Sequence, residues 1–286
     1  GTYLIVSNRD LYNDGNNNNY VEDYRAYRAS VNGGGFNAKI YDIDELTDQF
    51  AFGIKNHPAS IRDFIRYADR NFAAKASYVL IIGRAVDYYD TWRNQGNSLL
   101  SKLNKVPTFG WPASDILLSS EPGTIVPLIP IGRLGVINGG EINNYLQKVI
   151  QYDAALKFSS PYIADKAWMK TGMHVAGGKD SSENEAFRVY MNGYKNIFQD
   201  TLLGGLVETF SKTSTGTVQQ ANSQRIEQMF NEGLGFIGYF GHSSASTFEF
   251  NLSDPDLYHN TGKYPFFNVS GCSAGNFYNF DPSRIS

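Results

Sequence analysis

Residues Ser77-Tyr78-Val79-Leu80-Ile81-Ile82-Gly83 form a continuous apolar run that ends at a glycine. Such a run is typical of a central strand in a parallel sheet, because both faces of that strand are buried. Two shorter strand-like runs precede it, at 3–7 and 37–42, with helical spacing over 21–31 and from residue 58 onward. This β-α-β-α-β order predicts an α/β fold with an open, mostly parallel sheet and helices on both faces.

A second cycle of strands and helices follows this core. The intervening chain has a loose, Pro- and Gly-punctuated segment over 90–123, a short strand over 128–134 and a helix over 141–156. Pro130 lacks a ladder donor, which favours an edge position for that short strand. Strands are then expected at 170–176 and 207–210, and helices at 185–198 and 223–231. The change near residue 156 predicts two subdomains, residues 1–156 and 157–286.

Composition excludes several classes of protein. The 286 residues are 42% hydrophobic, enough for a sizeable core, and the net charge is −3 without a basic stripe. That charge argues against a nucleic-acid-binding protein. No apolar run reaches the roughly 18 residues of a membrane span. A single cysteine can form no internal disulfide, so the cysteine content does not indicate the redox compartment. One cysteine is also too few for a cysteine-rich zinc site.

Two further apolar runs end in small residues, and each carries a reactive side chain at its tip. His242 ends the run Leu234-Gly235-Phe236-Ile237-Gly238-Tyr239-Phe240-Gly241, and Cys272, thirty positions later, follows Phe266-Phe267-Asn268-Val269-Ser270-Gly271. Parallel strands bring their carboxyl ends to one sheet edge, where α/β folds place their chemistry. The pair is therefore a candidate nucleophile and general acid–base at one edge. A buried structural thiol is the alternative for Cys272 taken alone.

The other polar candidates have simpler interpretations. His57 precedes a helix start and is expected to be a solvated neighbour of the cap, and His174 is expected to be a packed core histidine. His259 is expected to face solvent. No cofactor is required, although the Asp14-Gly15-Asn16 and Asp254-Pro255-Asp256 loops could hold a structural calcium ion, with solvated loop polarity as the alternative.

The two tips resemble the gingipain-type cysteine peptidases, peptidase family C25, which share a clan with caspases and legumains. The matching pieces are Ile237-Gly238-Tyr239-Phe240-Gly241-His242-Ser243-Ser244 and Phe267-Asn268-Val269-Ser270-Gly271-Cys272-Ser273-Ala274-Gly275-Asn276-Phe277. Weaker matches lie at 3–7, 24–28, 52–67, 80–83, 114–115 and 131–134. The chain is most similar to the PorU-type sortase version of the domain, from the type IX secretion system.

This resemblance implies a caspase/gingipain-like fold of two sheets, with residues 157–286 as the catalytic subdomain. It implies a cysteine endopeptidase or a sortase-like transpeptidase acting through a Cys-His dyad. Cys272 would be the nucleophile and His242 the proton donor to the leaving amine. The backbone N–H groups of Cys272 and Ser243 would form the oxyanion hole.

Three departures from the family pattern stand out. The family has a glutamate after the strand at 170–176, and here Asp180, Glu183 or Glu185 could take its place. Ser243 stands where the family has glycine, which could displace the oxyanion donor. The chain also ends 14 residues after Cys272, so we expect the carboxyl-terminal part of the catalytic domain to be truncated.

The resemblance further implies protein or peptide substrates, other type IX secretion components as partners, and a location outside a bacterium or on its outer membrane. Neither nucleic acid nor a transmembrane segment is expected. The alternative function is that of a catalytically inactive relative, a scaffold or interaction domain in surface secretion machinery. An α/β-hydrolase is disfavoured, since no Gly-x-Ser-x-Gly elbow follows a strand.

Overall fold

The computed structural model describes residues 1–211, 216–243 and 255–280. Contacts divide the chain within a helix at 139–157 into two compact units. The first comprises Gly1–Gln147 and the described residues that follow Asn276, and the second is Lys148–Asn276. The expected subdomain boundary at residue 156 stays a prediction.

The first unit is built on a four-stranded sheet in the order β2-β1-β3-β4. Its strands are β1 (Thr2–Ser7), β2 (Asn37–Asp42), β3 (Ala76–Ile82) and β4 (Ile131–Leu134). Every pairing is parallel, and β4 lies at an edge, as predicted. The apolar run of β3 is buried between β1 and β4, with Ile81 and Ile82 fully inaccessible.

Helices connect these strands, and three of them are too short to have been predicted from the sequence. They are α1 (Tyr20–Ala29), α2 (Ile43–Phe50), α3 (Ala59–Asn71), α4 (Tyr88–Arg93), α5 (Ser98–Leu103), α6 (Ile116–Ser119) and α7 (Gly139–Lys157). The segment expected to be loose contains α4, α5 and α6. Asp87 and Asn97 cap the first two by accepting hydrogen bonds from backbone N–H groups, and six residues are too few to show helical periodicity.

A buried ion pair joins β4 to the loop before α6. The Nε of Arg133 lies 2.7 Å from Oδ2 of Asp115, with side chains only 1% and 10% exposed. Arg133 also donates to three carbonyl oxygens, those of Gly83, Val106 and Pro107. The hydroxyls of Tyr278 and Thr108 donate to the carboxylate. Burial raises the pKa of Asp115, but the charge of Arg133 and the hydrogen bonds from Arg133, Tyr278 and Thr108 together outweigh it, so the pKa lies below its ordinary value.

We expect Arg133→Met to lower the free energy of unfolding by about 3–5 kcal/mol, because it leaves a buried carboxylate without its counter-charge. Urea denaturation followed by circular dichroism measures the change. The matched control is Arg70→Met, which removes an exposed pair with Glu121 and should cost no more than about 1 kcal/mol. Equal losses in the two variants would contradict a structural role for the buried pair.

The second unit repeats the plan, with a four-stranded sheet in the order β6-β5-β7-β8. Its strands are β5 (Thr171–Gly177), β6 (Leu206–Ser211), β7 (Phe236–Gly241) and β8 (Phe266–Ser270), and all pair in parallel. Its helices are α8 (Ser181–Phe198) and α9 (Gly216–Glu232). The prediction of two open parallel sheets flanked by helices is thus confirmed.

The two faces of this second sheet pack against different helices, because side chains alternate along each strand. The face towards α9 carries the core: Met173, Val175, Phe210, Ile226, Met229, Phe230, Leu234, Ile237 and Tyr239. The opposite face meets α8, where Phe187 and Phe198 contact Phe240 and Phe236 at centroid distances of 4.9 and 6.1 Å. No helix among the described residues is long and apolar enough to span a membrane.

Candidate active site

The register of the second sheet brings His242 and Cys272 to the same edge. Phe240 of β7 pairs with Ser270 of β8 in parallel. His242 and Cys272 each lie two residues further along, so both follow the carboxyl ends of adjacent strands. The Ser243 hydroxyl donates a 2.8 Å hydrogen bond to the carbonyl oxygen of Cys272 and ties the two segments together.

Two glycines let the strands approach closely just before His242. A Cβ on Gly241 would lie 2.5 Å from the carbonyl oxygen of Gly177, the last residue of β5. The N–H of His242 donates to that same oxygen at 2.8 Å, and the hydroxyl of Tyr239 donates to the carbonyl of His242. The backbone of His242 is therefore fixed against the end of β5, beside the start of α8.

A carboxylate from α8 holds the ring of His242. The Nε2 of His242 lies 3.0 Å from Oε2 of Glu183, with side chains 39% and 33% exposed. The pKa of Glu183 is lowered, first by the hydrogen bond from the backbone N–H of Lys179 and also by His242. An ionised carboxylate only accepts hydrogen bonds, so the proton of this bond lies on Nε2 of His242. The other ring nitrogen, Nδ1, takes no part in this bond.

The three acids proposed from sequence have different surroundings. Asp180 is the N-cap of α8 and accepts from the N–H of Glu183 at 2.9 Å. Glu185 pairs with Arg188, Nη2 to Oε1 at 2.6 Å. Of the three, all of which the structure describes, Glu183 is the one that contacts His242. The sequence placed the start of this helix at residue 185, which is wrong: the cap at Asp180 starts it at Ser181 and puts Glu183 in its first turn.

The thiol of Cys272 is exposed at the sheet edge. Ser273 follows it in a left-handed conformation, with φ of 55°, a backbone state that a serine adopts only when its surroundings impose it. Across the described chain, the N–H of Cys272 donates to no protein acceptor. Ser243 has no positive φ, so its backbone does not require the glycine that the family pattern has there. The Cys272 thiol and amide therefore both lie at the edge that His242 reaches.

Two site residues escaped the sequence reasoning. Phe187 packs against the ring of His242, with centroids 5.9 Å apart. It lies four residues after Glu183, so both share one face of α8, and this spacing was a usable signal. Asn184, 9% exposed, exchanges hydrogen bonds with the N–H and carbonyl of Gly178. This pins the loop between β5 and α8, and only the tertiary structure reveals it.

The remaining candidates lie on other elements of the chain. The Nδ1 of His57 accepts the N–H of Ala59 at the start of α3, and His259 is exposed in a loop. Hydrogen bonds from the Asn18 side chain and the Asn16 backbone lower the pKa of Asp14 to about 2. Within the described ranges, no three His, Cys, Asp or Glu side chains cluster as metal ligands. Asp254 of the second acidic loop lies outside those ranges, and a structural calcium ion stays a prediction.

Comparison of the whole sequence with protein families shows which family the chain belongs to. The model of peptidase family C25 matches residues 1–286. The chain belongs to peptidase family C25. This is a family of cysteine peptidases, and the match confirms the gingipain-type resemblance. No curated protein sequence matches the chain.

Two solved structures are similar in fold. One is the Arg-specific cysteine proteinase gingipain R, and the other is the complex of Porphyromonas gingivalis RgpB pro- and mature domains. Each has a TM-score of 0.65 and 14% identity and covers 99% of this chain. The chain spans 57% and 58% of the length of those two chains. At this identity the likeness shows the fold alone, and the PorU-type assignment stays a prediction.

The pKa of Glu183 offers a direct test of the contact with His242. We expect the Glu183 carboxyl to titrate below its ordinary value of 4.5, so the pair should persist at neutral pH and be lost as pH falls through that lowered pKa. His242→Phe should raise the pKa yet leave it below 4.5, because the hydrogen bond from Lys179 is the larger cause. Carboxyl carbon shifts in an NMR titration measure both values.

The control for this titration is His259→Phe, which changes an exposed histidine away from α8. It should leave the titration of Glu183 unchanged. A Glu183 pKa identical in wild type and His242→Phe would show that the two side chains do not interact in solution.

Proposed function

We propose that this chain cleaves peptide bonds in protein or peptide substrates through a Cys-His centre, with Cys272 as nucleophile and His242 as general acid–base. The supporting observation is the meeting of three groups at one sheet edge: the exposed thiol, the imidazole and the Glu183 carboxylate that orients it. An acid–base partner must be held in a defined orientation to act on a leaving group, and Glu183 supplies that restraint.

The reaction has two steps, acylation of Cys272 and then transfer of the acyl group. The sulfur of Cys272, as thiolate, attacks the peptide carbonyl, forming a C–S bond. The C–N bond then breaks, and the leaving amine takes a proton from His242. Water or an amine next attacks the thioester carbonyl and gives its proton to the imidazole, and the thiolate leaves. His242 thus returns to its starting state after each turnover.

The negative charge that develops on the substrate's carbonyl oxygen needs hydrogen-bond donors at the same edge of the sheet. The N–H of Cys272 has no acceptor in the described protein and is our first choice, with the N–H of Ser243 as the second. The hydrogen bond from the Ser243 hydroxyl to the carbonyl of Cys272 links the two segments that carry these N–H groups. We assign Glu183 the role of positioning the ring of His242. Asp180 caps α8, and Glu185 forms an ion pair with Arg188 on the same helix.

Transfer to an amine in place of water would make this centre a sortase-like transpeptidase. The PorU-type resemblance supports that role, together with action at a bacterial cell surface alongside type IX secretion components. Because the thiol lies at an open edge, an acceptor amine can approach the thioester. The scaffold alternative rests on the missing acid and on Ser243. The contact of Glu183 with His242 and the absence of a positive φ at Ser243 support the peptidase function over that alternative.

Substitutions at the Cys-His centre should distinguish the roles of its residues by the size of the activity loss. Cys272→Ser should abolish cleavage of fluorescein-labelled casein, and His242→Ala should reduce kcat by about 10²–10⁴-fold. Glu183→Gln should reduce it by about 13–160-fold, equivalent to a charged hydrogen bond of about 1.5–3 kcal/mol. The matched control is Glu185→Gln, two residues away on the same helix, which should keep full activity. Cleavage that survives Cys272→Ser would overturn the proposal in favour of the scaffold function.

Added amine distinguishes the two acceptors. With excess glycinamide we expect a fraction of the acyl product to appear as the amide, since the amine and water compete for the same thioester. Mass spectrometry of the products reads the ratio directly. Carboxylate as the sole product at every amine concentration would restrict the activity to hydrolysis.

A further inference from the structure

A polar cleft of about 950 Å³ lies at the carboxyl ends of the strands of the first unit. Its lining residues include Asn8 just after β1, Ile43 just after β2, and Lys105, whose N–H donates to the carbonyl of Arg84 after β3. In the order β2-β1-β3-β4, β2 and β3 lie on opposite sides of β1. Open α/β sheets bind ligands in the crevice where strand order reverses in this way. Every lining residue lies between positions 8 and 105, so the first unit alone forms the cleft.

The lining of the polar cleft is rich in groups that donate and accept hydrogen bonds. Half of its residues are Asn, Gln, Ser, Thr or Tyr. Across the described chain, the exposed side chains of Gln95, Ser98 and Ser101 make no hydrogen bond to protein, so they are available to a ligand. The cleft therefore suits a ligand that carries many hydrogen-bonding groups of its own.

The charged groups of the polar cleft balance one another. The Nζ of Lys105 lies 2.7 Å from Oδ2 of Asp10, which leaves Asp44 and Lys55 as one further charge of each sign. A phosphate or carboxylate ligand would therefore meet no excess of positive charge. The sequence also contains no strand–GxxxxGK–helix motif for phosphate binding. These features favour an uncharged ligand over a nucleotide or an acidic ligand.

Trp92 supplies a flat apolar surface on the wall of the polar cleft. It lies on α4 and is 63% exposed, and Tyr88, four residues earlier on the same helix, also lines the cleft. Residues four apart share one face of a helix. A sugar ring has an apolar face of C–H groups that can stack on an aromatic ring, and its hydroxyls both donate and accept. An aromatic ring beside unpaired amide and hydroxyl groups therefore matches a saccharide.

A peptide fits this lining less well. Peptide-binding grooves combine main-chain hydrogen bonds with pockets for side chains. Here the aliphatic lining residues Ile43 and Leu100 are 4% and 5% exposed, and of the aliphatic side chains that line the cleft only Ile54 offers accessible surface. The lining thus favours a saccharide over a peptide.

The loop between α2 and α3 forms part of the polar cleft and has a strained backbone. Residues 54–57 of this loop line the cleft. Phe52 and Asn56 have φ of 54° and 59°, a left-handed conformation that is rare for a bulky side chain such as that of Phe52. Strained backbone clusters at binding sites, where the surrounding fold must hold it in place. The loop therefore supports a binding role for this cleft, independently of the chemistry of its lining.

We propose that the polar cleft binds a neutral saccharide, with one sugar ring stacked on the indole of Trp92. Gln95, Ser98 and Ser101 would exchange hydrogen bonds with the hydroxyls of the sugar. The interaction is non-covalent and separate from peptide cleavage. This inference goes beyond the proposed function, since no residue of the Cys-His centre lines the cleft.

The test is a titration of the isotope-labelled chain with neutral tetrasaccharides at millimolar concentration: maltotetraose, mannotetraose, galactotetraose and tetra-N-acetylchitotetraose. The chain has three tryptophans, at positions 92, 111 and 168, and each gives one indole N–H signal in a heteronuclear NMR spectrum. We expect at least one saccharide to shift the Trp92 signal and to leave the signals of Trp111 and Trp168 in place. The affinity should not change with salt concentration, because the ligand carries no charge.

Two variants and one control assign the contacts. Trp92→Ala should weaken binding by at least about tenfold, because it removes the apolar surface of the ring. Gln95→Ala should weaken binding by about 2–12-fold, the range of one neutral hydrogen bond. The matched control is Trp111→Ala, which removes a tryptophan that is 79% exposed outside the cleft and should keep the wild-type affinity. Circular dichroism checks that each variant is folded.

Three results would overturn this assignment: no shift with any of the saccharides, a shift of Trp111 or Trp168 in place of Trp92, or binding that persists at full strength in Trp92→Ala. A shift of Trp92 with tetraalanine or AMP, but with none of the saccharides, would assign the cleft to a peptide or a nucleotide instead. The indole shifts of the wild-type chain decide between these outcomes if a variant fails to fold. Saccharide binding should persist in Cys272→Ser, so failure of the proposed function leaves this inference intact.

Discussion

The parallel hydrogen-bond register of β5, β7 and β8 is the constraint on which the candidate site depends. It aligns Gly177 with Gly241 and Phe240 with Ser270, so the residues that follow meet at one edge. A slip of one residue would turn His242 and Cys272 to opposite faces. The absence of side chains at Gly177 and Gly241 allows the close approach that fixes this register at the edge. Backbone pairing therefore positions the chemistry before any catalytic side chain interacts with another.

Helix α8 orients the side chain of His242 at this edge. Its N-cap, Asp180, sets where the helix starts, and the start decides which acid faces β7. Glu183 and Phe187 then contact His242 from one face of the helix. Further along, Tyr194 lines a cleft between α8 and the face of strands β5, β7 and β8. One helix thus orients the imidazole and forms the wall of the cleft, so a shift of α8 would alter both features together.

The sequence predicted the framework better than the details of the site. Buried parallel strands appear as apolar runs, and their ends pointed to His242 and Cys272. Choosing among three acids required the cap at Asp180. Successive helical residues turn by about 100°, so Glu185 lies on the side of α8 away from Glu183. The cleft could not be predicted, because His174, Gly238 and Asn268 meet only through pairing across three strands.

Serine at position 243 illustrates how a departure from a family pattern can be compensated. Glycine is required where φ is positive or where a Cβ would clash. Ser243 has no positive φ, and its hydroxyl bonds to the carbonyl of Cys272. That bond restrains the loop after β7 against the one after β8, which glycine could not do. The strain at this edge lies instead at Ser273, the left-handed residue after the thiol. The hydrogen bond to the Cys272 carbonyl and the backbone of Ser273 both restrain the chain directly after the thiol, at the edge where an oxyanion donor would act.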